Sequence, residues 1–373
     1  MHGVRTVCEF VAPRGAGADA RAAAGAVLRV GRRVARAGPF GGVGRHVALS
    51  MVTHVAGGCV IGVDLGGTKL LAGVVDAELD VHHRAYRLAP ASDRQAVLDA
   101  VASVVEEARQ AVGGEVRAVG FGIPSLFDHK RGIAVSTVHL PIRDVPFRDV
   151  MAERLGLPVF VDNDANVAML AEHRFGAARG AQHALLLTLG TGIGGAIVVD
   201  GRLVRGALGS AGELGHMVID LDGPRCQGNC PSRGCLEALA SGTALGRDAL
   251  AAAHEHPGSA LGRALADGRA VTGALVTELA HDGDPTAVAV IRRVGGYLGV
   301  GIASLVNIFN PSVVVVGGGV IAAGELLLEP AREVLAQRAL SPSRECARIV
   351  PARFGAESGM LGAATLALDN LGS

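Results

Sequence analysis

Apolar residues recur along this chain with two periods, short buried runs typical of strands and wider stripes typical of helices. Val60-Ile-Gly-Val-Asp64 predicts a buried strand, Leu65-Gly66-Gly67-Thr68-Lys69 a tight turn, and Leu70 to Val75 a returning strand. A third strand is expected near His82 to Leu88, an amphipathic helix from Asp93 to Ala111, and a strand from Arg117 to Ile123. Pro158 to Val161 reads as a short strand and Asp164 to Phe175 as the helix after it. Ala184 to Leu189, the turn Gly190-Thr191-Gly192-Ile-Gly194-Gly195 and Ala196 to Val199 then repeat the opening design of strand, glycine turn, strand. Several helices follow between Leu236 and Asn307, then a strand from Ser312 to Val316 ending in Gly317-Gly318-Gly319, a last strand from Ala347 to Arg353, and a closing helix from Gly359 to Leu371. The pattern is that of an α/β chain made of two copies of one fold.

At 373 residues and 49% apolar composition, the chain is long enough for two domains with sizeable cores. Its 35 basic and 35 acidic residues are unevenly placed. Residues 1 to 58 hold eight Arg against two acids, leaving 27 basic and 33 acidic residues in the remainder. A mildly acidic body argues against nucleic-acid binding. The first 50 residues lack the progression of a secretory signal and read as disordered or loosely helical, with Met51 as an alternative start. Their Arg-rich, acid-poor composition is also that of a transit peptide, but 33 Arg against two Lys in the whole chain is a bias expected of GC-rich coding sequence. Apolar runs are interrupted by polar residues before they reach about 18 residues, so no membrane span is expected.

Glycine turns between strands let backbone N–H groups approach an anion closely, and phosphate is the usual one. Neither turn here fits the Walker or the dinucleotide-binding spacing, and a lone Gly-Gly in a hairpin is ordinarily only a turn. Two turns, each opening a half, and a third glycine triplet make a stronger case. Gly66, Gly67 and Thr68 facing Gly190, Thr191 and Gly192 across a cleft would grip a nucleotide's phosphates, while Gly317, Gly318 and Gly319 would admit the adenosine. Asp64, at the end of the first strand, is expected to hold Mg2+; its plainer reading is a cap on the turn.

Asp162-Asn163-Asp164-Ala-Asn166 lies between a strand and a helix, where Asp and Asn commonly act as N-caps. Capping needs only one of them. Phosphoryl transfer to an alcohol needs a carboxylate that orients the hydroxyl and takes its proton, and Asp164 is the candidate base, with Asn163 beside it.

Between Glu213 and Glu237 stand Glu213-Leu-Gly-His216, Cys226, Cys230, Cys235 and Glu237. Three thiols and an imidazole form the ligand set of a closed tetrahedral zinc site. A disulfide with one free thiol is the alternative, but an odd cluster suits a disulfide framework poorly, and Cys8, Cys59 and Cys346 are scattered, which fits a reducing cytoplasm.

These segments together resemble the ROK family of repressors, open reading frames and kinases. The resemblance runs from about Val60 to the C-terminus and covers Asp64-Leu-Gly-Gly-Thr-Lys69, Asn163-Asp164, Leu189 to Gly195, Glu213 to His216, Gly234-Cys-Leu-Glu237, Asn310 to Gly319 and Gly359-Met-Leu-Gly362. It implies two ribonuclease H-like domains of the actin and hexokinase type flanking a cleft. Residues 59–180 would form the first lobe, 181–358 the second with its zinc loop 213–237, and 359–371 would pack back on the first, leaving 1–58 as a disordered or non-native extension. The implied activity is ATP-dependent phosphorylation of a hexose, glucose first, in a cytoplasmic homodimer or homotetramer. Asp164 is the implied base; Asn163, Glu213, His216 and Glu237 would hold the sugar; Lys69 joins the nucleotide residues. Zinc would sit on His216, Cys226, Cys230 and Cys235, and His216 can serve metal and sugar together because imidazole has two nitrogens.

The chain departs from the family pattern in three places. The usual Cys-x-Cys-Gly-x-x-Gly-Cys spacing is two residues longer between Cys226 and Cys230, the usual Pro-Gly is Pro124-Ser125, and His139 replaces a common Asn. Ser125, Thr137 and His139 are ring-facing candidates whose alternative is an ordinary loop role. N-acetylmannosamine, N-acetylglucosamine, allose and fructose stay open as substrates, and polyphosphate as a donor. A ROK repressor, the reading from another class, needs an N-terminal DNA-binding module for which residues 1–58 are too short and too poor in periodic apolar residues; a catalytically idle sugar sensor is the remaining alternative.

Overall fold

The computed structural model describes residues 58–67, 69–90, 93–137 and 140–371, all in one unit that begins at Val52. Apart from Gly58, the expectations for residues 1–58 lie outside the described residues, as do those for Thr68 and His139.

In the first half β1 (Cys59–Leu65), β2 (Lys69–Val75) and β3 (Val81–Leu88) form an antiparallel meander. Helix α1 (Arg94–Gln110) starts where the Asp93 carboxylate accepts the Ala96 N–H at 2.9 Å, and buries Val97, Leu98, Val101, Val104, Val105 and Ala108 on one stripe. The chain continues through β4 (Val116–Ile123), a small sheet of β5 (Ser125–Asp128), β6 (Ile133–Thr137) and β7 (Arg143–Val145), then α2 (Phe147–Leu155), β8 (Val159–Asn163) and α3 (Asp164–Arg174). The second half repeats the plan with β9 (Ala184–Leu189), β10 (Ile193–Val199) and β11 (Arg202–Leu203). Helices α4 (Leu236–Ala240), α5 (Gly242–Glu255), α6 (Ala260–Ala266), α7 (Gly273–His281) and α8 (Pro285–Phe309) precede β12 (Val313–Gly317). After it come α9 (Glu325–Arg338), α10 (Ser343–Cys346), β13 (Arg348–Pro351) and α11 (Ser358–Leu371).

The two large sheets have the same topology, β3-β2-β1-β4-β8 and β11-β10-β9-β12-β13, with two antiparallel pairings followed by two parallel ones. In both, the glycine turns follow the first strand, at the carboxyl ends of the parallel strands, where open α/β sheets bind ligands. Strand β12 shows why its sequence is apolar throughout. Val313 and Val315 face one core, Val314 and Val316 the other, as expected of a parallel strand covered on both sides. The small β5-β6-β7 sheet and α2 carry no clear sequence period.

Among the described residues, α8 is the one helix long and apolar enough to cross a membrane. Its Val290, Ile291, Val294, Leu298, Ile302, Leu305 and Val306 are buried in the second core, while Arg292 reaches Glu329 and Glu333 on α9. It is a core helix with one charged flank.

Helices α3 and α11 lie between the sheets. One face of the second sheet packs on Ala168 and Met169 of α3, and Met360, Leu361, Ala364 and Ala367 of α11 pack on Val60, Val75 and Ala118 of the first. Contact there is backbone to backbone. A Cβ placed on Gly120 would lie 1.8 Å from the Ala363 carbonyl oxygen, and one on Gly362 1.8 Å from that of Val167. Gly120→Ala should therefore push α11 off the sheet and lower the unfolding free energy by about 1–3 kcal/mol. A urea titration checks this; unchanged stability would show that the spacing is not set at Gly120.

Candidate active site

Strand β8 delivers three polar residues to the start of α3, and they divide the work of the helix end. The Asn163 side-chain oxygen accepts the N–H groups of Ala165 and Asn166 at 2.9 and 3.2 Å and is the N-cap. Asp162, 1% exposed, accepts the Asn163 N–H at 2.8 Å and the Asn166 amide at 2.9 Å with one oxygen. Its other oxygen takes the Arg205 Nε at 2.7 Å. With capping and the buried ion pair satisfied by its neighbours, Asp164 is left facing the cavity. It accepts the Ala165 N–H at 2.9 Å through one oxygen.

That cavity, of about 640 Å³, opens between the halves. The first half supplies Pro124, Ser125, Leu126, Ser136, Thr137, Asn163 and Asp164; the second supplies Gly192 to Gly195, Glu213, His216, Glu237 and part of the Cys loop. Desolvation, with the Asp64 and Glu213 charges adding to it, pushes the Asp164 carboxyl up to about 7. Asp64 is raised too, by burial, with Lys69 opposing, and a Cβ on Gly359 would stand 2.7 Å from its carboxyl carbon. Glu213 is raised by desolvation and by Glu237, against the pull of His216.

The glycine turns flank this floor. The Gly66 N–H donates to the Lys69 carbonyl at 2.8 Å and the Gly190 N–H to the Gly192 carbonyl at 2.9 Å. Gly317 pairs with Thr188, and Gly318, at φ 84°, comes so close that a Cβ would lie 2.3 Å from the Leu189 oxygen. The second turn also meets Glu237 and the start of α3. The Ile193 N–H donates to Glu237 Oε2 at 2.8 Å, and a Cβ on Gly194 would be 3.2 Å from that of Ala165.

His216, Cys226, Cys230 and Cys235 present ligand atoms all within 4.8 Å of one another. His216 Nδ1 lies 3.5 Å from the Cys226 sulfur, and the Cys230 and Cys235 sulfurs are 3.9 Å apart. A tetrahedral zinc with ordinary bond lengths has edges of about 3.6 and 3.8 Å for those pairs. Burial, the contact with Cys235 and the Glu237 charge push the Cys226 thiol up. His216 Nε2 points the other way, 3.8 Å from Glu213 Oε2. Gly234 is needed for the loop to close: its φ is 62° and a Cβ would fall 1.4 Å from the Asp220 oxygen.

A ROK family profile matches residues 60–370. The chain belongs to the ROK family. A glucokinase of Streptomyces coelicolor is 38% identical over 318 residues, 84% of this chain and 98% of its own length. The crystal structure of a ROK family glucokinase from Streptomyces griseus in complex with glucose and AMPPNP is 39% identical, covering 83% of this chain and 99% of its own, with a TM-score of 0.74. A ROK family transcriptional regulator, a homologue of the E. coli MLC protein, is 30% identical with a TM-score of 0.76, covering 83% and 78%. The architecture is thus the actin-like one of the ROK hexokinases.

In this ROK chain the expected residues fall into two groups. Asn163, Asp164, Glu213, His216, Glu237, Ser125, Thr137, Cys230 and Gly192 line the cavity; Asp64, Gly66, Gly67, Lys69, Gly190, Thr191 and Gly317 to Gly319 do not. The Ser125 hydroxyl contacts the Leu126 and Ser136 carbonyls at 2.8 and 2.9 Å, and that of Thr137 the Leu140 and Ile142 carbonyls, so both protons are committed to backbone. Arg205 is the functional neighbour that sequence reading missed. A lone Arg in a loop gives no sign of its partner 43 residues earlier, and only the buried Asp162 beside the candidate base hints that a cation must exist.

Arg205→Met leaves Asp162 buried without its guanidinium and should cost about 3–5 kcal/mol of stability, with the Asp162→Asn double variant recovering part of it. Denaturant titrations of the three variants measure this. A near-neutral single variant would show that water replaces the guanidinium.

Proposed function

We propose that this chain is an ATP-dependent glucokinase that moves the terminal phosphoryl group of ATP to the 6-hydroxyl of glucose. Asp164 carries the reading: a carboxylate at the cavity floor, pushed up to about 7, suits a base that takes an alcohol proton near neutral pH. The glucokinase relatives support it, as does the fold shared with a glucokinase bound to glucose and AMPPNP. The cavity volume lies within the roughly 300–1,000 Å³ usual for small-molecule sites. Residues 59–180 and 181–358 act as the two lobes, with 359–371 joined to the first, in a cytoplasmic homodimer or homotetramer.

Asn163, Glu213, His216 and Glu237 hold the sugar hydroxyls, with Ser125 and Thr137 as acceptors at the rim. Asp164 orients the 6-hydroxyl and takes its proton as the oxygen bonds to the terminal phosphorus of ATP; ADP leaves. Gly66, Gly67, Thr68 and Lys69 approach the phosphates from one side, Gly190, Thr191 and Gly192 from the other, and Gly317 to Gly319 flank the adenosine. Asp64 would hold Mg2+, which would neutralise phosphate charge. His216, Cys226, Cys230 and Cys235 would hold zinc, which would fix the imidazole and leave Nε2 for the sugar.

Asp164→Asn keeps an oxygen for the Ala165 N–H but cannot take a proton, so kcat should fall by roughly 10²–10⁴ with the fold intact. In the wild type, kcat/KM should decline as pH falls through about 7, because the base works only when ionised. Removing the Glu213 charge with Glu213→Gln should move that limb to lower pH. A coupled assay of ADP release across hexoses and pH decides, and near-normal turnover of Asp164→Asn would sink the assignment.

Metal analysis should find a single zinc per chain, lost in Cys226→Ser, and a chelator should weaken glucose binding as the loop opens. Zinc-free protein with unchanged glucose affinity would refute the coupling.

A further inference from the structure

The longer interval between Cys226 and Cys230 carries Gln227, whose side chain reaches out of the Cys loop. Its amide nitrogen donates to the Thr191 carbonyl at 3.2 Å and to the Ser241 hydroxyl at 3.0 Å. Thr191 is the tip of the second glycine turn. Its carbonyl also accepts the Thr243 hydroxyl at 2.8 Å, and the Gly242 N–H holds the Gly190 carbonyl at 2.7 Å. The first turn of α5 thus grips the glycine turn from one side and Gln227 from the other. Ser241, the α5 N-cap, ties the two together, since its hydroxyl accepts the Ala244 N–H at 3.2 Å.

A peptide unit is planar and trans, so its carbonyl and the next N–H point in opposite directions. Anchoring the Thr191 oxygen therefore fixes the aim of the Gly192 N–H. Glu237 braces the same turn one residue on through Ile193, and its other oxygen lies 3.5 Å from the Cys226 sulfur. Gln227 belongs to the loop closed by the cysteine cluster, whereas Glu237 stands just beyond it in α4.

We propose that Gln227 is a positioning residue for the nucleotide, carrying closure of the metal loop into the Gly190-Thr191-Gly192 turn. The inference rests on reading that turn as phosphate-binding. Loss of metal loosens the loop, frees the Thr191 peptide and weakens ATP. Gln227 also lines the cavity, but its amide N–H groups are committed to Thr191 and Ser241, so the sugar is left to His216 and Glu237.

Gln227→Ala should raise the KM for ATP about threefold to tenfold, the value of one or two lost hydrogen bonds, with kcat and the KM for glucose within about twofold of wild type. Its zinc content should stay at the wild-type level. Calorimetry with a non-hydrolysable ATP analogue should show the same loss of affinity, and chelation should weaken the analogue in the wild type but not further in the variant. Gln227→Glu, which cannot donate to the carbonyl, should behave like the alanine variant. Wild-type nucleotide affinity in zinc-loaded Gln227→Ala, or a loss falling on glucose instead, would overturn the proposal. If the wild type binds the analogue but phosphorylates no hexose, the kinase reading falls while the calorimetric comparison still decides on Gln227.

Discussion

Close packing around the first turns of α3 holds Asp164 where the two halves meet. Gly122 of β4 lies where a Cβ would meet a Val167 methyl at 2.5 Å, Gly362 of α11 where one would meet the Val167 backbone oxygen at 1.8 Å, and Gly194 of β10 where one would meet the Ala165 methyl at 3.2 Å. Three elements from different parts of the chain therefore crowd one helix start because each places a glycine there. Interiors so packed transmit displacement instead of absorbing it. A shift of either half relative to α3 would move Asp164 against Glu213 and the second glycine turn.

Much of this arrangement is written in local pattern, and the reasons are particular. The two hairpins are legible because Val60 to Val75 and Ala184 to Val199 alternate apolar runs with glycine, a combination that allows few other structures. The topological identity of the two sheets follows from strands and helices in the same order. The β5-β6-β7 sheet escaped because its strands are short and mix charge, hydroxyl and apolar positions without a period of two, as in Ile133-Ala-Val-Ser-Thr137. Helix α8 escaped as one element because its interrupting arginines break the apolar run while leaving the buried stripe whole.

The site was legible to the extent that single segments carry it. Asp162, Asn163 and Asp164 are adjacent in sequence, so their presence at one helix end was visible; how they share capping, ion pairing and exposure was not, since that depends on Arg205 arriving from the other half. The same limit applies to the cysteines. The interval between Cys226 and Cys230 is longer than the family's, so spacing alone does not place the Cys226 sulfur. In three dimensions its sulfur lies as near His216 as a tetrahedral edge requires, and the extra loop length is taken up by Gln227 leaning on Thr191.

Charge explains why these parts must act together. Asp64 and Asp164 both hold protons above the usual carboxylate range, and Glu213 is raised with Glu237 contributing, so burial in this cavity opposes full ionisation. The Asp64 and Glu213 charges make Asp164 more basic and Glu237 does the same for Glu213, and in a site sheltered from water that influence extends farther than it does in solvent. On the proposed reading, cations brought in by a nucleotide would oppose that local field, and a base left partly protonated until then would have little capacity to activate water beforehand. The carboxylates proposed to hold the sugar and the proposed base are therefore one electrostatic system, in which removing the Glu237 charge should lower the proton affinity of Glu213.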